Sequence, residues 1–124
     1  MAFPNRYEAV VLQEAKTVYR ACFGVDSGTL LDSFRSNYEL DRQPPHPADL
    51  HATVIRMALS TFEDDAVPRR FARRNPARIG THIATVELLP GFGICIADTA
   101  GPGHWSIWGV PDQLVRMVTD VTTA

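Results

Sequence analysis

The spacing of apolar residues divides the chain into a helical-looking part followed by a strand-looking part. Tyr7, Val10, Val11, Val18 and Cys22 recur at helical spacing, with Glu14, Lys16 and Arg20 between them. Asn5 followed by Glu8 has the form of a capping box, and Gly24 is a natural stop, so the pattern predicts a first helix between them. A shorter second helix is expected to open near Asp26 or Ser27, with Leu30, Leu31, Phe34 and Tyr38 on its inner side. The run Asp41-Arg42-Gln43-Pro44-Pro45-His46-Pro47 cannot be helix interior, whereas Pro47 suits the first turn of a third helix over about 47–63. Leu50, Val54, Ile55, Met57, Ala58, Leu59 and Phe62 give that helix a broad apolar arc, which predicts a central buried helix. Asp64 or Asp65 then caps a short basic helix with Pro68 in its first turn, closed by Asn75-Pro76.

At about Arg78 the pattern changes to β-branched residues in alternation. RIGTHIATVELLP, GFGICIA and HWSIWGV, separated by Gly and Pro, predict three antiparallel strands in a meander. Pro111 opens a final helix with Asp112 in its first turn and Leu114, Val115, Val118 and Val121 as its inner stripe. The expected architecture is a single α+β domain over residues 1–124. A helical half (1–76) of about four helices packs on a β-meander closed by a C-terminal helix (77–121), and residues 122–124 form a frayed tail.

Composition agrees with a globular chain, with 45% hydrophobic and 21% charged residues. A net charge of −2 argues against a protein that coats nucleic acid by bulk charge. Lys16 is the only lysine among the 12 basic residues, an arginine bias of the kind a GC-rich genome produces, which points to a bacterial or phage source. The opening MAFPNRYEAVV lacks a basic leader followed by an apolar core. No apolar run approaches the ~20 residues needed to span a bilayer, so no membrane partner and a cytoplasmic location are expected. Cys22 and Cys95 cannot make a disulfide framework or a zinc site by themselves and read as reduced thiols.

The tetrapeptide Asp98-Thr99-Ala100-Gly101 has the form of the magnesium-side switch motif of small GTPases. A GTPase also needs a phosphate-cradling loop with a Gly-Lys pair, and this chain has none. The stretch therefore reads as a hairpin turn. If Thr99–Gly103 is the loop, Asp98 faces His104, Ala97 faces Trp105, Cys95 faces Ile107 and Ile94 faces Trp108. A carboxylate beside an imidazole favours the imidazolium, so Asp98 and His104 are expected to staple the hairpin. In this register one face carries Cys95, Ala97, Trp105 and Ile107, and the other Ile94, Ile96 and Trp108. Both faces are apolar enough to need a cover: helices, a second copy of the chain in a homodimer, or a partner.

Arg69, Arg70, Arg73, Arg74 and Arg78 place five of the eleven arginines within ten residues. The first four span an arc of roughly 140° on a helix, at about 100° per residue. Guanidinium forks match carboxylate and phosphate geometry, which makes this an anion- or partner-binding surface, unless Glu63, Asp64 and Asp65 balance it. His46, Asp49 and His51 lack the i, i+4 spacing of a helical metal pair, and no metal or cofactor is called for. The nearest approach to a catalytic set is Cys95, Asp98 and His104 with Ser106, but Cys95 lies in an apolar run that disfavours the thiolate, and no catalytic residue is assigned.

The function that follows is a non-enzymatic accessory, inhibitor or immunity-type protein that binds a protein partner. Trp105 and Ile107 would be its apolar anchors, with His104 and Asp98 beside them and the arginines as a rim. One alternative is a nucleic-acid-binding protein that contacts phosphates through Arg69–Arg78. The other is a small enzyme built on the Asp98/His104 hairpin.

Overall fold

The computed structural model describes residues 9–35, 57–99 and 101–124. Asn5, Tyr7, Glu8, Tyr38, the proline run, His46, His51 and the first part of the expected third helix lie outside the described residues. What is described is dominated by one seven-stranded antiparallel sheet. Its strands are β1 (Val10–Val11), β2 (Lys16–Cys22), β3 (Leu59–Phe62), β4 (His82–Leu88), β5 (Cys95–Asp98), β6 (His104–Trp108) and β7 (Val118–Thr123). They lie side by side in the order β1-β5-β6-β3-β2-β4-β7. The described helices are short: α1 (Ser27–Ser33), α2 (Ala66–Arg74), α3 (Pro76–Ile79) and α4 (Pro111–Arg116).

This overturns the expectation of N-terminal helices packed on a three-stranded meander. The first expected helix is replaced, among the described residues, by β1 and β2. Val18 and Cys22 are four apart, a spacing that places them on one helix face and equally on one strand face. In the fold Val18, Arg20 and Cys22 share a sheet face, and Thr17 and Tyr19 point to the other. The end of the expected third helix, residues 59–62, is β3, with Leu59 and Thr61 inward and Ser60 exposed.

The final helix stops at Arg116, and Val118 and Val121 belong to β7 instead. Their three-residue spacing looks helical. A register shift opposite Thr85/Val86 lets Val118 pair with Val86 while Val121 pairs with Ala84, so both valines reach the same face of the sheet. Thr122 and Thr123, expected to fray, pair with Ile83 and His82.

The strands expected within RIGTHIATVELLP, GFGICIA and HWSIWGV form as β4, β5 and β6, but not as a meander. Two neighbours, β2 and β7, occupy both edges of β4, so the chain crosses to the other half of the sheet before β5 and β6 pair as a hairpin.

The main core lies on one face of the sheet. Val18, Leu59, Val86, Leu88, Ile94 and Ile107 point into it and are covered by Leu30 and Phe34 from the α1 region and by Leu114 and Met117 at α4. Asp26 caps α1 by accepting from the Thr29 backbone N–H at 2.9 Å and the Thr29 hydroxyl at 2.6 Å. Those bonds to the ionised form hold the Asp26 carboxyl below its ordinary range. The other face is covered in part by α2, whose Pro68 and Ala72 are buried and which packs on β2, β3 and β4.

One boundary in this sheet is weak. β2 and β3 share a single backbone pair, Tyr19 with Phe62. Side chains reinforce it. Arg20 donates through Nε to the Ser33 carbonyl and through Nη1 to the Ser60 carbonyl, both at 2.8 Å. Glu63 Oε1 accepts from Lys16 Nζ at 3.1 Å and from Trp105 Nε1 at 2.7 Å, with the ammonium 4.2 Å from the indole centroid.

Two expectations follow from this packing. Arg20→Met keeps the aliphatic stem but strands two carbonyls, and it should lower the unfolding free energy by about 1–3 kcal/mol in a denaturant titration. Gly80 sits at φ +142°, where a Cβ would lie 2.5 Å from the Cys22 carbonyl oxygen. Gly80→Ala should therefore cost about 2 kcal/mol or more in the same assay, with Gly91→Ala, which meets no atom within 4 Å, losing less.

Candidate anion-binding surface

α2 is an amphipathic helix on which the buried and charged faces are nearly opposite. Pro68 and Ala72 face the sheet, and Arg70, Arg73 and Arg74 are exposed. Arg73 and Arg74 occupy the last turn, where cations are favoured by the helix dipole. The Arg69–Arg73, Arg70–Arg73 and Arg70–Arg74 spacings set like charges against each other, which disfavours the helix by a few tenths of a kcal/mol per pair, roughly 0.2–0.5. Packing of Pro68, Ala72 and the Phe71 ring, 6.3 Å from Phe62 and tilted by 51°, opposes that repulsion.

The fold separates the five clustered arginines into three groups. Arg69 is structural: it pairs with Asp65 at 3.1 Å, donates to the Thr123 carbonyl at 2.6 Å and reaches the Thr122 hydroxyl at 3.3 Å. It ties α2 to the edge strand β7. Arg70, Arg73 and Arg74 line a shallow outer groove with Ala66 and Arg69. Arg78, carried by α3, lines a different cleft, on the side of α2 that faces β2 and β3.

Of the acidic residues expected to balance the cluster, Asp65 meets it through Arg69 alone, and Glu63 and Asp64 are engaged outside it. Glu63 binds Lys16 and Trp105, Asp64 accepts from the Ala66 backbone N–H at 2.8 Å, and Asp65 holds Arg69. Among the described residues, Arg70, Arg73, Arg74 and Arg78 have no carboxylate within 4.0 Å.

The hairpin anchors fall differently from the expectation. The observed register is one residue off: Asp98 faces Trp105, Ala97 faces Ser106, Ile96 faces Ile107 and Cys95 faces Trp108. A one-residue slip exchanges the faces. Ile107 is therefore fully buried in the core with Ile96 and Trp105 around it, and it offers no surface anchor. Trp105 is half-buried, its indole held by Glu63 and Lys16.

His104 does not sit opposite Asp98. Its Nδ1 is 3.3 Å from the Thr99 hydroxyl, which is itself 2.6 Å from the Ser106 hydroxyl, and its ring packs edge-on against Phe62 with centroids 5.0 Å apart. Burial pushes the His104 imidazole below its ordinary pKa, and the Asp98 charge opposes this only in part. Thr99, expected to be no more than a loop residue, is thus the group that pins the hairpin. Cys95, Asp98 and His104 are not gathered into one constellation, because Asp98 lies on the opposite sheet face from Cys95. Burial raises the Cys22 thiol.

Among the described residues, no group of three or more His, Cys, Asp or Glu side chains could hold a metal ion, and no helix is long and apolar enough to cross a membrane. The chain matches no protein-family model, no curated protein and no solved structure, so its own geometry carries the functional argument.

The Glu63 carboxyl lies below its ordinary range because Trp105 and Lys16 both bond to its ionised form. A depressed carboxyl contributes stability that is present above its unfolded pKa, about 4.3, and is lost as pH falls through the lower folded value. The Trp105 indole N–H resonance should therefore titrate with a midpoint below that of a free glutamate, and Glu63→Gln should abolish the titration.

Proposed function

We propose that this protein is a non-catalytic binding protein that engages an acidic protein partner through the outer face of α2. Arg70, Arg73 and Arg74 supply guanidinium forks to carboxylates of the partner, and Phe71, exposed beside them, supplies apolar contact. The observation that carries this reading is that the three upstream acids bond Lys16 and Trp105, the Ala66 backbone N–H and Arg69, which leaves Arg70, Arg73 and Arg74 without a counter-charge among the described residues. With Ile107 buried, the apolar sheet face has no part in the proposal.

A protein partner is favoured over nucleic acid by the charge of the rest of the chain. The pI is about 6.0, and the remaining surface would repel a phosphate backbone. Asn75, at the end of α2, is the one neutral side chain at that helix terminus suited to reading base edges. The reading places the protein in the cytoplasm, where Cys22 and Cys95 remain free thiols.

Affinity purification of the full chain from its native host, after nuclease treatment and at about 0.15 M salt, tests the proposal. The expected result is one stoichiometric protein whose retention falls about tenfold or more in Arg70→Ser/Arg73→Ser/Arg74→Ser, each exposed charge contact contributing up to about 1 kcal/mol. Equal circular dichroism spectra would confirm that the variant folds. Recovery of nucleic acid that depends on the same arginines and vanishes with nuclease would replace this reading with phosphate binding. Self-association unaffected by the substitutions would replace it with a homodimer.

A further inference from the structure

Past the Tyr19–Phe62 pair, β2 and β3 diverge. The gap between them opens into a cleft of about 340 Å3, large enough for a small molecule. Its apolar walls include Phe23 at the end of β2, Phe62 on β3 and Phe71 on α2. Phe23 and Phe71 are 42% and 44% exposed, so both present ring surface that none of the described residues covers. Phe62 and Phe71 meet at 51°, forming a corner into which a flat ring can pack against one face and one edge.

The polar lining has a definite sign. Asp32 is the one carboxylate among the described lining residues, and Arg35 pairs with it at 2.7 Å. Arg20 is committed to the Ser33 and Ser60 carbonyls. That leaves Arg78, which lines the cleft from α3 and meets no carboxylate among the described residues. Among the described residues, the cleft thus combines aromatic walls, a net positive lining and one guanidinium whose donors are not taken up.

We propose that this cleft binds a small aromatic anion, its carboxylate or phosphate on Arg78 and its ring among Phe23, Phe62 and Phe71. The site differs from the partner surface in its charged group: Arg70, Arg73 and Arg74 lie on the outer groove and do not line the cleft, while Phe71 borders both.

The test is a 15N-resolved NMR titration of the full chain with phenylacetate, phenyl phosphate and the uncharged benzyl alcohol. At least one anion should give saturable shifts at the amides of Phe23, Ser33, Phe71 and Ile79, and bind about tenfold more tightly than the alcohol. The two anions show whether carboxylate or phosphate is preferred. Arg78→Gln, at an exposed residue whose side chain makes no hydrogen bond among the described residues, should erase the preference for the anion, and the Arg70/Arg73/Arg74 serine variant should retain it. Equal affinity for alcohol and anions, indifference to Arg78→Gln, shifts confined to the outer face of α2, or no saturable shift with any probe would each overturn the proposal. Failure of the partner purification with success here, or the reverse, separates the two readings.

Discussion

The junction of β2 and β3 is the constraint on which the rest of the molecule depends. A sheet strand pair is ordinarily held by a ladder, as β2 is to β4 through seven residue pairs. Here one pair joins β1-β5-β6-β3 to β2-β4-β7. The missing ladder bonds are replaced by side chains: Arg20 reaches across to the Ser60 carbonyl, and the Lys16, Glu63 and Trp105 group closes the opposite end. Hydrogen bonds to charged groups are stronger than neutral ones, which suits them to a place where the backbone cannot pair. The same divergence makes the cleft, so the sheet is concave where its pairing is weakest.

The arginine cluster shows how a tertiary structure assigns different work to chemically identical neighbours. Arg69 and Arg73 stand one helical turn apart, yet Arg69 is bound to Asp65 and β7 while Arg73 meets no carboxylate among the described residues. The edge strand makes the difference, because the Thr123 carbonyl and Thr122 hydroxyl lie within reach of one guanidinium only. The short break at Asn75 then turns α3 away, and with it Arg78, so that a run of ten residues serves an edge-strand contact, an outer groove and an inner cleft.

Local signals in the sequence were legible where they act over a few residues. Asp26 as a cap, Pro111 with Asp112 at a helix start, the pairing of β5 with β6 and the basic helix around Arg69–Arg74 all rest on contacts within a turn or a hairpin. Misreadings arose where one spacing satisfies two periods. Val18 and Cys22, four apart, fit a helix and a strand equally, and Val118 and Val121, three apart, fit a strand only because of the register shift at Thr85/Val86. The hairpin register failed by one residue because loop length alone leaves neighbouring registers close in energy. The choice is made by the core, which takes Ile107 and Ile96 on one face together.

What the sequence determined by itself was therefore its short-range content: the cap at Asp26, the break at Asn75-Pro76, the helix start at Pro111, the glycine-bearing turns, the acidic average charge and the dense arginine run. What only the tertiary structure decided was the strand identity of residues 16–22 and 118–123, the order of the strands, and which arginines meet no counter-charge among the described residues. The physical reason is common to all three. Strand pairing and ion pairing bring together residues far apart in the chain, such as Tyr19 with Phe62 and Arg69 with Thr123, and no local pattern specifies those partners.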